Sequence, residues 1–467
     1  MNALQRDLIL LTDRVERADG PRAAQDASRL RCHLMPPVGW LNDPNGLCKI
    51  GDTYHVFYQY SPFNAAGGVK LWGHFTSTDL LHWQRQKPML YPDMPFDCHG
   101  AYSGSALVED GVLYLYYTGN VKFPGQYDYI KAGRGHNTCL AISRDGVTLD
   151  SKQCLMENKD YPAGLTCHVR DPKVWREGTA YYMVQGARTL EDRGEVLVFT
   201  SDDKINWRHS GTITTPQPFG YMWECPDLFC LNGQWFLAVS PQGAPCQNIY
   251  ACGYFPLSGN WRDGSCTLGA FTPFDYGFDF YAPQSFADGA RRLQFAWMGM
   301  PDADYGNPTV ENGWQHALTV PCVLNATGET LLRTPAPELA ALRGPGTALT
   351  EGTTCKAAAF DAVYTPEHPT APFRAILHGG LLLEFTGSAL RLQFTDAAIA
   401  AGRTLRTAPC TALDNLRILA DTTSVEIFAN GGALCMSTRV YPKAGAQGLA
   451  LPQGAGAGML YPIASNP

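Results

Sequence analysis

Three short motifs carry carboxyl groups that could do acid, base or nucleophilic chemistry. They are Asn42-Asp43-Pro44, Arg170-Asp171-Pro172 and Trp223-Glu224-Cys225. Acids that converge on one site repel each other, and such crowding is usually retained where one group must hold a proton while another stays charged. Taken singly, each acid could equally be a turn residue or a solvated side chain. Their interpretation therefore depends on whether the fold brings them together.

A repeated hairpin predicts how the chain positions these acids. Five segments begin with a glycine turn and continue with aromatic and β-branched residues, and the glycines are 55 to 67 residues apart. This spacing is roughly the length of a four-stranded antiparallel sheet with its loops. Repetition on this scale predicts radially arranged sheets, a five-bladed β-propeller. The turn glycines are Gly51, Gly111, Gly178, Gly233 and Gly289.

The strand before each hairpin turn is the innermost strand of a blade and lines the central channel. Counting back 7 to 9 residues from each glycine gives one polar residue per blade: Asp43, Ser103, Asp171, Glu224 and Tyr281. We expect these five residues to occupy equivalent positions. The three acids would then share one channel.

The rest of the chain predicts an all-β protein with a short N-terminal helix. Residues 1–29 form a helical extension, with an amphipathic helix over residues 3–17, and residues 30–335 form the propeller. A proline- and glycine-containing linker over residues 336–349 follows. Alternating apolar runs over residues 350–467 predict a C-terminal β-sandwich.

Composition excludes several classes of protein. The chain has 467 residues and a net charge of -7, with no basic run that could follow a phosphate backbone, so we expect no nucleic-acid partner. No apolar stretch reaches the roughly 20 residues that span a bilayer, so we expect no membrane association. Acidic residues flank the short apolar run Leu8-Ile9-Leu10-Leu11, which is unlike a signal peptide. The 15 cysteines include no C-x-x-C pair, which favours a reducing cytoplasm and no zinc site. We expect no metal and no cofactor, and a monomer or homodimer.

Seven motifs together resemble glycoside hydrolase family 32, the invertases and β-fructofuranosidases. The resemblance covers about residues 30 to 320 and extends through Ser424-Val-Glu-Ile-Phe-Ala-Asn-Gly431. Tyr102 stands where the family often has Phe, and Pro321-Cys-Val-Leu324 replaces a commoner Pro-Arg-Glu-Leu; neither touches the acids. The motifs are His33-Leu-Met-Pro-Pro-Val-Gly-Trp-Leu-Asn-Asp-Pro-Asn-Gly46, Phe57-Tyr-Gln-Tyr60, Trp72-Gly-His74, Tyr102-Ser-Gly-Ser-Ala106, Arg170-Asp-Pro172, Trp223-Glu-Cys-Pro-Asp-Leu228 and Asp279-Phe-Tyr-Ala-Pro283.

The resemblance implies a propeller followed by a sandwich, and retaining hydrolysis of sucrose, sucrose 6-phosphate or short fructo-oligosaccharides. It assigns Asp43 as nucleophile, Glu224 as general acid/base and Asp171 as transition-state stabiliser, with Arg170 orienting Asp171. Retention requires the two reacting carboxyl groups about 5 to 5.5 Å apart. We expect hydrogen bonds from Asn42 and the turn backbone to keep Asp43 ionised. The implied substrate-binding residues are Leu41, Asn42, Gln59, Trp72, Tyr102, Ser103, Arg170 and Tyr281.

A cationic loop between the second and third blades offers a site for a substrate phosphate. Its candidates are Lys131, Arg134 and His136, and the alternative is an ordinary solvated loop. Three other functions remain open at this point. A fructosyltransferase or exo-fructanase would share the mechanism, a noncatalytic sugar-binding propeller would share the pocket, and an arabinan-cleaving enzyme would share the fold.

Overall fold

The computed structural model describes residues 2–464, which form mostly antiparallel sheets after one long helix. Helix α1 spans Ala3–Ala24, so the expected end at residue 17 was too early. The helix continues through Pro21 because its last turn is packed: Ala23 is fully buried in a cluster with Val38 and Trp314. Such packing outweighs intrinsic helix propensity. Between residues 2 and 464, no helix is long and apolar enough to cross a membrane.

The first four sheets follow one another along the chain. The strands of sheet 1 are β1 (Gly39–Ile50), β2 (Thr53–Ser61), β3 (Leu71–Ser77) and β4 (Gln84–Leu90). Those of sheet 2 are β5 (Ala101–Glu109), β6 (Val112–Lys122), β7 (Arg134–Ser143) and β8 (Ser151–Met156). Those of sheet 3 are β9 (Leu165–Glu177), β10 (Ala180–Thr189), β11 (Gly194–Ser201) and β12 (Arg208–Ile213). Those of sheet 4 are β13 (Met222–Leu231), β14 (Gln234–Gln242), β15 (Gly253–Asn260), β16 (Ser265–Leu268) and β17 (Thr272–Pro273).

Sheet 5 brings the chain back to sheet 1. Its first strand β18 contacts β1, as β1 contacts β5, β5 contacts β9, β9 contacts β13 and β13 contacts β18. The first strands of the five sheets therefore form a closed ring. Strand β20 strengthens the closure by pairing in parallel with β1, with Gly39 opposite Trp314. The strands concerned are β18 (Tyr281–Asp288), β19 (Arg291–Met298), β20 (Trp314–Gln315), β21 (Ala317–Leu318), β22 (Cys322–Thr327) and β23 (Thr330–Pro335).

The C-terminal part contains two six-stranded antiparallel sheets that share one apolar core. The strands are β24 (Thr347–Leu349), β25 (Thr354–Cys355), β26 (Phe360–Pro366), β27 (Phe373–Leu377), β28 (Leu381–Phe385), β29 (Ala389–Phe394), β30 (Leu405–Pro409), β31 (Leu416–Asp421), β32 (Ser424–Ala429), β33 (Leu434–Arg439), β34 (Leu449–Gln453) and β35 (Gly456–Pro462). One sheet has the strand order β24-β35-β26-β31-β32-β33 and the other β25-β34-β27-β28-β29-β30. Strand β24 lies within the expected linker and is already part of this unit. Short helices complete the fold: α2 (Ala397–Ala400) and 3-10 turns at Asn158–Asp160, Pro308–Asn312, Pro337–Leu342 and Asn430–Gly432.

A buried histidine anchors the segment before β1 to the C-terminal sheets. His33 Nδ1 lies 2.8 Å from Asp421 Oδ2, and His33 Nε2 lies 3.0 Å from Glu426 Oε1. Carboxylates can only accept, so both ring nitrogens donate and the ring is an imidazolium. Burial lowers the pKa of His33, but Cys32 and the two carboxylates outweigh it and hold that pKa well above its usual value. This charged cluster fixes the chain ten residues before Asp43.

A second buried ion pair anchors the segment before β18. The Arg403 guanidinium donates to both oxygens of Asp279, at 2.7 and 2.8 Å, and both side chains are buried. Bidentate pairs of this kind fix orientation as well as distance. Asp279 precedes Tyr281 by two residues, so the C-terminal sheets help to position β18 as they position β1.

Candidate active site

Each of the five ring strands contains a β-bulge at its motif. Glu224 and Tyr281 lie one residue before their bulges and pair regularly with Ser240 and Trp297. Asp43 is the second unpaired residue of its bulge, and Asp171 is the first of its own. Relative to Asp43, the expected equivalence was therefore wrong by one residue for Asp171 and by two for Glu224 and Tyr281. Counting from the turn glycine cannot separate the extra bulge residue from variation in turn length. The residues in the bulges are Asn42 and Asp43, Ser103, Asp171 and Pro172, Cys225 and Pro226, and Ala282 and Pro283.

Three of the bulge residues have left-handed backbone geometry without being glycine. Asp171 has a φ of 63°, and Cys225 and Ala282 each have a φ of 49°. Each precedes a proline. A side-chain-bearing residue in this region costs about 1 kcal/mol or more, and such strain concentrates at functional sites. The bulges therefore re-aim the motif side chains at an energetic cost.

The bulged strands surround an open cavity of about 400 Å³. All three acids line it, which confirms that the fold brings them together. The predicted site residues found in its wall are Asn42, Asp43, Gln59, Tyr102, Ser103, Arg134, His136, Arg170, Asp171, Glu224 and Tyr281. One cavity thus joins predicted residues as far apart in the sequence as Asn42 and Tyr281.

Asp43 is held by hydrogen bonds at both oxygens. Asn42 Nδ2 donates to Oδ1 at 3.0 Å, and Ser103 Oγ donates to Oδ2 at 2.5 Å. Ser103 in turn accepts from Gln59 Nε2 at 2.6 Å. The expected Asn42 contact is present, yet burial raises the pKa of Asp43 more than these hydrogen bonds lower it, and the Glu224 charge raises it further. Asp43 is thus oriented and more basic than an ordinary aspartate.

Asp171 is nearly inaccessible and lies close to Cys225. The Cys225 backbone N–H donates to Asp171 Oδ2 at 2.9 Å, and the Cys225 Sγ lies 3.6 Å from the same oxygen and 3.8 Å from Asp43 Oδ2. One cysteine therefore touches two of the three acids. Burial raises the pKa of Asp171 to about 7, although the Arg170 charge opposes the change.

Asparagine in place of Asp171 is expected to stabilise the fold at neutral pH. The folded-state pKa of about 7 exceeds the ordinary 3.8, so the folded protein binds the proton more tightly than the unfolded chain. The contribution of the Asp171 carboxyl group to the free energy of unfolding falls as pH rises from about 4 to about 7 and then stays constant. A shift of about three pKa units limits the gain in the free energy of unfolding from Asp171→Asn to about 4 kcal/mol, and we expect a gain of roughly 1–3 kcal/mol.

Urea unfolding of wild type and Asp171→Asn at about pH 4 and about pH 8 measures this difference. The variant should gain stability at the higher pH and little at the lower one, which serves as its internal control. Equal gains at both values, or a loss at pH 8, would contradict the assigned protonation behaviour of Asp171.

Glu224 forms an ion pair that the sequence did not predict. Arg170 Nη2 lies 2.6 Å from Glu224 Oε1, whereas Arg170 Nε is 3.9 Å from Asp171 Oδ2. Arg170 therefore orients Glu224 more directly than Asp171, to which the resemblance had assigned it. The other oxygen, Oε2, accepts from Tyr281 Oη at 2.7 Å and Gln242 Nε2 at 2.9 Å. Arg170 Nε also donates to Oε1, at 3.2 Å, so four polar contacts from three residues fix the carboxyl group.

Three predicted binding residues do not line the cavity. Leu41 and Trp72 are fully buried, and the Trp72 indole donates to the Tyr102 backbone carbonyl at 3.1 Å. Trp72 supports the wall from behind because β3 places it in the core between sheets 1 and 2. Lys131 is exposed in the loop outside the cavity, in front of β7.

Several cavity residues were missed by the sequence reasoning. His168 shares a face of β9 with Arg170, since residues two apart point the same way, and could have been inferred. Trp297 pairs with Tyr281 across the hairpin and could have been found by extending the repeat one strand further. Asp302 lies beyond the repeat and carried no signal. The missed residues are Trp40, Lys70, His168, Gln242, Trp297, Pro301 and Asp302.

One rim of the cavity is cationic. Arg134 Nη1 lies 3.3 Å from His168 Nε2, and neither ring nitrogen of buried His136 has a hydrogen-bond partner in the structure. Lys70 lies over the Trp40 ring, 4.9 Å from its centroid, and burial lowers the pKa of Lys70 to about 7. Arg134, His136 and Lys70 offer donors to an anionic or hydroxyl-rich ligand, whereas both ring nitrogens of His168 already have partners.

One group within residues 2–464 has the composition and spacing to hold a metal ion: Cys32, His33 and Asp421. It lies at the junction with the C-terminal sheets and shares no residue with the cavity wall. His33 already donates from both nitrogens to carboxylates there. The cluster fits a hydrogen-bonded anchor.

Two family descriptions match the chain. "Glycosyl hydrolases family 32 N-terminal domain" matches residues 33–335, and "Glycosyl hydrolases family 32 C terminal" matches residues 389–461. A sucrose-6-phosphate hydrolase of Bacillus subtilis is 38% identical over 444 residues, covering 90% of this chain and 91% of the relative. A raffinose invertase of Escherichia coli is 36% identical over 445 residues, covering 90% of each chain.

Two solved structures superpose on this chain over nearly its whole length. The sucrose-6-phosphate hydrolase from Lactobacillus gasseri superposes with a TM-score of 0.90 at 26% identity, covering 97% of this chain and 96% of that one. A Bombyx mori GH32 beta-fructofuranosidase superposes with a TM-score of 0.85 at 24% identity, covering 98% of each chain, and supports the fold.

Proposed function

The chain belongs to glycosyl hydrolase family 32 and hydrolyses sucrose-type β-fructosides, and from that premise we propose that Asp43, Glu224 and Asp171 carry the reaction. The observation that supports this assignment is the convergence of the three carboxyl groups in one cavity, each with different partners. Asp43 is the nucleophile, Glu224 the general acid/base, and Asp171 the group that grips the fructosyl hydroxyls. The reaction proceeds by double displacement with net retention.

In the first step Asp43 attacks the anomeric carbon while Glu224 protonates the leaving oxygen. Ser103 and Asn42 fix the attacking carboxylate, so little orientation is lost when it reacts. The raised pKa of Asp43 makes it a stronger nucleophile once ionised. In the second step Glu224 takes a proton from water, and the water oxygen attacks the anomeric carbon as its bond to Asp43 breaks, which releases fructose and the Asp43 carboxylate. Retention predicts that the Asp43 and Glu224 carboxyl groups lie about 5 to 5.5 Å apart.

The architecture that supports this site is a five-bladed β-propeller followed by a β-sandwich. Closure of the first strands into a ring favours the propeller over residues 30–335, with the cavity at its centre. The shared core of the two six-stranded sheets favours a sandwich over residues 350–467. Residues 1–29 are the helical extension and residues 336–349 the connection. The His33 and Arg403 ion pairs make the sandwich a support for the propeller.

The cationic rim is proposed to bind a phosphate on the leaving sugar. Arg134 and His136 reach the cavity, whereas Lys131 does not, so the proposed site is revised to Arg134 and His136 with Lys70, while His168 orients the Arg134 side chain. The names of the Bacillus subtilis and Lactobacillus gasseri relatives support a phosphorylated disaccharide. Charge-assisted bonds from Arg134 would supply most of the discrimination.

Arg134→Met is expected to lower kcat/KM for sucrose 6-phosphate by about 10- to 100-fold, because one charge-assisted hydrogen bond is worth roughly 1.5–3 kcal/mol. The value for sucrose should change less than about threefold. Steady-state kinetics on both sugars measure the two effects, with Lys131→Met as the matched control outside the cavity. Equal losses on both substrates, or no wild-type preference for the phosphate, would contradict the phosphate site.

Location and partners remain proposals. The 15 cysteines are all free thiols in the structure, which supports a reducing cytoplasm. The cavity of about 400 Å³ that the three acids line supports a small-molecule substrate as the main ligand, with no nucleic-acid or membrane partner and a monomer or homodimer as the working unit.

A further inference from the structure

Two cysteines oppose each other in sheet 2. Cys139 of β7 pairs with Cys154 of β8, and residues directly opposite in antiparallel strands place their side chains on the same face. No other two cysteines are partners in the strand pairings of residues 2–464. Opposed Cα atoms lie about 4.5–5.5 Å apart, inside the range of about 4.4–6.8 Å that a disulfide spans. The pairing therefore brings the two cysteines within the Cα separation that a disulfide spans.

We propose that Cys139 and Cys154 are a reversible dithiol–disulfide site that reacts with low-molecular-weight disulfides such as oxidised glutathione. Cys154 is partly exposed and meets the reagent, whereas Cys139 is fully buried beneath it. The Cys139 thiol lowers the pKa of Cys154, while burial raises that of Cys139. Cys154 is therefore the attacking thiolate and Cys139 the resolving thiol.

The exchange occurs in two balanced steps. The Cys154 thiolate attacks one sulfur of oxidised glutathione, forms a mixed disulfide and releases one glutathione thiolate. Cys139 then attacks the Cys154 sulfur, loses its proton and releases the second glutathione. The two protein sulfurs are oxidised and the two glutathione sulfurs reduced. Excess reduced glutathione reverses both steps.

The site lies on a strand that also reaches the cavity. Arg134 and His136 line the cavity from the beginning of β7, and Cys139 follows His136 by three residues. Cys139 packs in an apolar cluster with Trp72 and Tyr117. The disulfide would fasten β8, the outer strand of sheet 2, to the strand that carries the cationic rim.

The test incubates the native full-length protein with excess oxidised glutathione, followed by alkylation in urea and peptide mass spectrometry. We expect a cross-linked peptide pair that contains Cys139 and Cys154 and is two hydrogens lighter than the sum of the two reduced peptides. Dithiothreitol should restore both thiols. A mixed disulfide that persists on Cys154, or full alkylation of both cysteines, would overturn the proposal.

Variants separate the two roles. Cys139→Ser should accumulate the mixed disulfide on Cys154, and Cys139→Ala should do the same if serine is poorly tolerated in the core. Cys154→Ser should leave Cys139 unmodified. Cys230→Ser removes an exposed cysteine elsewhere and should form the disulfide as wild type does. Circular dichroism confirms that each variant is folded, and cross-linking in either Cys139 variant at the Cys154 peptide would exclude Cys139 as the resolving thiol.

Discussion

Asp43→Asn is expected to lower kcat on sucrose by about 10⁴-fold or more, because it removes the only group proposed to form the covalent intermediate. Asparagine has nearly the same shape, and its amide oxygen can still accept the hydrogen bond from Ser103 or Asn42. The loss should therefore come from chemistry rather than from misfolding. Initial-rate kinetics with sucrose measure it, and the urea midpoint confirms that the variant is folded.

The matched control for Asp43→Asn is Asp302→Asn, which makes the same change in another acid of the cavity wall. Asp302 accepts from Tyr250 at 2.9 Å and is outside the proposed reacting triad, so its loss should be about tenfold or smaller. Retention of more than about one hundredth of the wild-type kcat by Asp43→Asn would remove it as nucleophile. Comparable losses in both variants would point to a general effect of charge in the cavity.

Glu224→Gln is expected to lower kcat on sucrose by about 10²- to 10⁴-fold, the usual contribution of a general acid. Its effect should depend on the leaving group, since an activated aryl β-fructofuranoside needs little protonation to depart. With that substrate, the decrease in the rate of the first step in Glu224→Gln should be about tenfold or less. Pre-steady-state release of the aryl group measures that step separately from hydrolysis of the intermediate.

The comparison between variants separates the two carboxyl groups. Asp43→Asn should be slow on both substrates, because an activated leaving group still needs a nucleophile. Glu224→Gln should be slow on sucrose and release the aryl group in a burst. Equal losses on both substrates for Glu224→Gln would argue that it serves only to bind the sugar. Tyr281→Phe removes one hydrogen bond to Glu224, and we expect its kcat on sucrose to lie between those of wild type and Glu224→Gln.

Much of the fold followed from one repeated pattern. The hairpin glycines located five sheets and their first strands because a turn residue and an alternating apolar run are local properties of the chain. The end of α1 was missed because burial of Ala23, a tertiary contact, overrides the local tendency of Pro21 to end a helix. The expected linker ended too late for a similar reason, since β24 is a strand only through its pairing with β35.

The features of the site also fall into those that local sequence predicts and those that depend on tertiary contacts. The sequence by itself indicated the three candidate acids, because their motifs lie 7 to 9 residues before turn glycines that local chemistry marks. Only the tertiary structure decided how each acid is held. Glu224 lies one residue before the bulge of its strand and forms an ion pair with Arg170. Burial raises the pKa of Asp171 to about 7. All three features depend on residues that are distant in the chain. Register, desolvation and charge pairing are properties of neighbours in space, and a linear pattern cannot specify them.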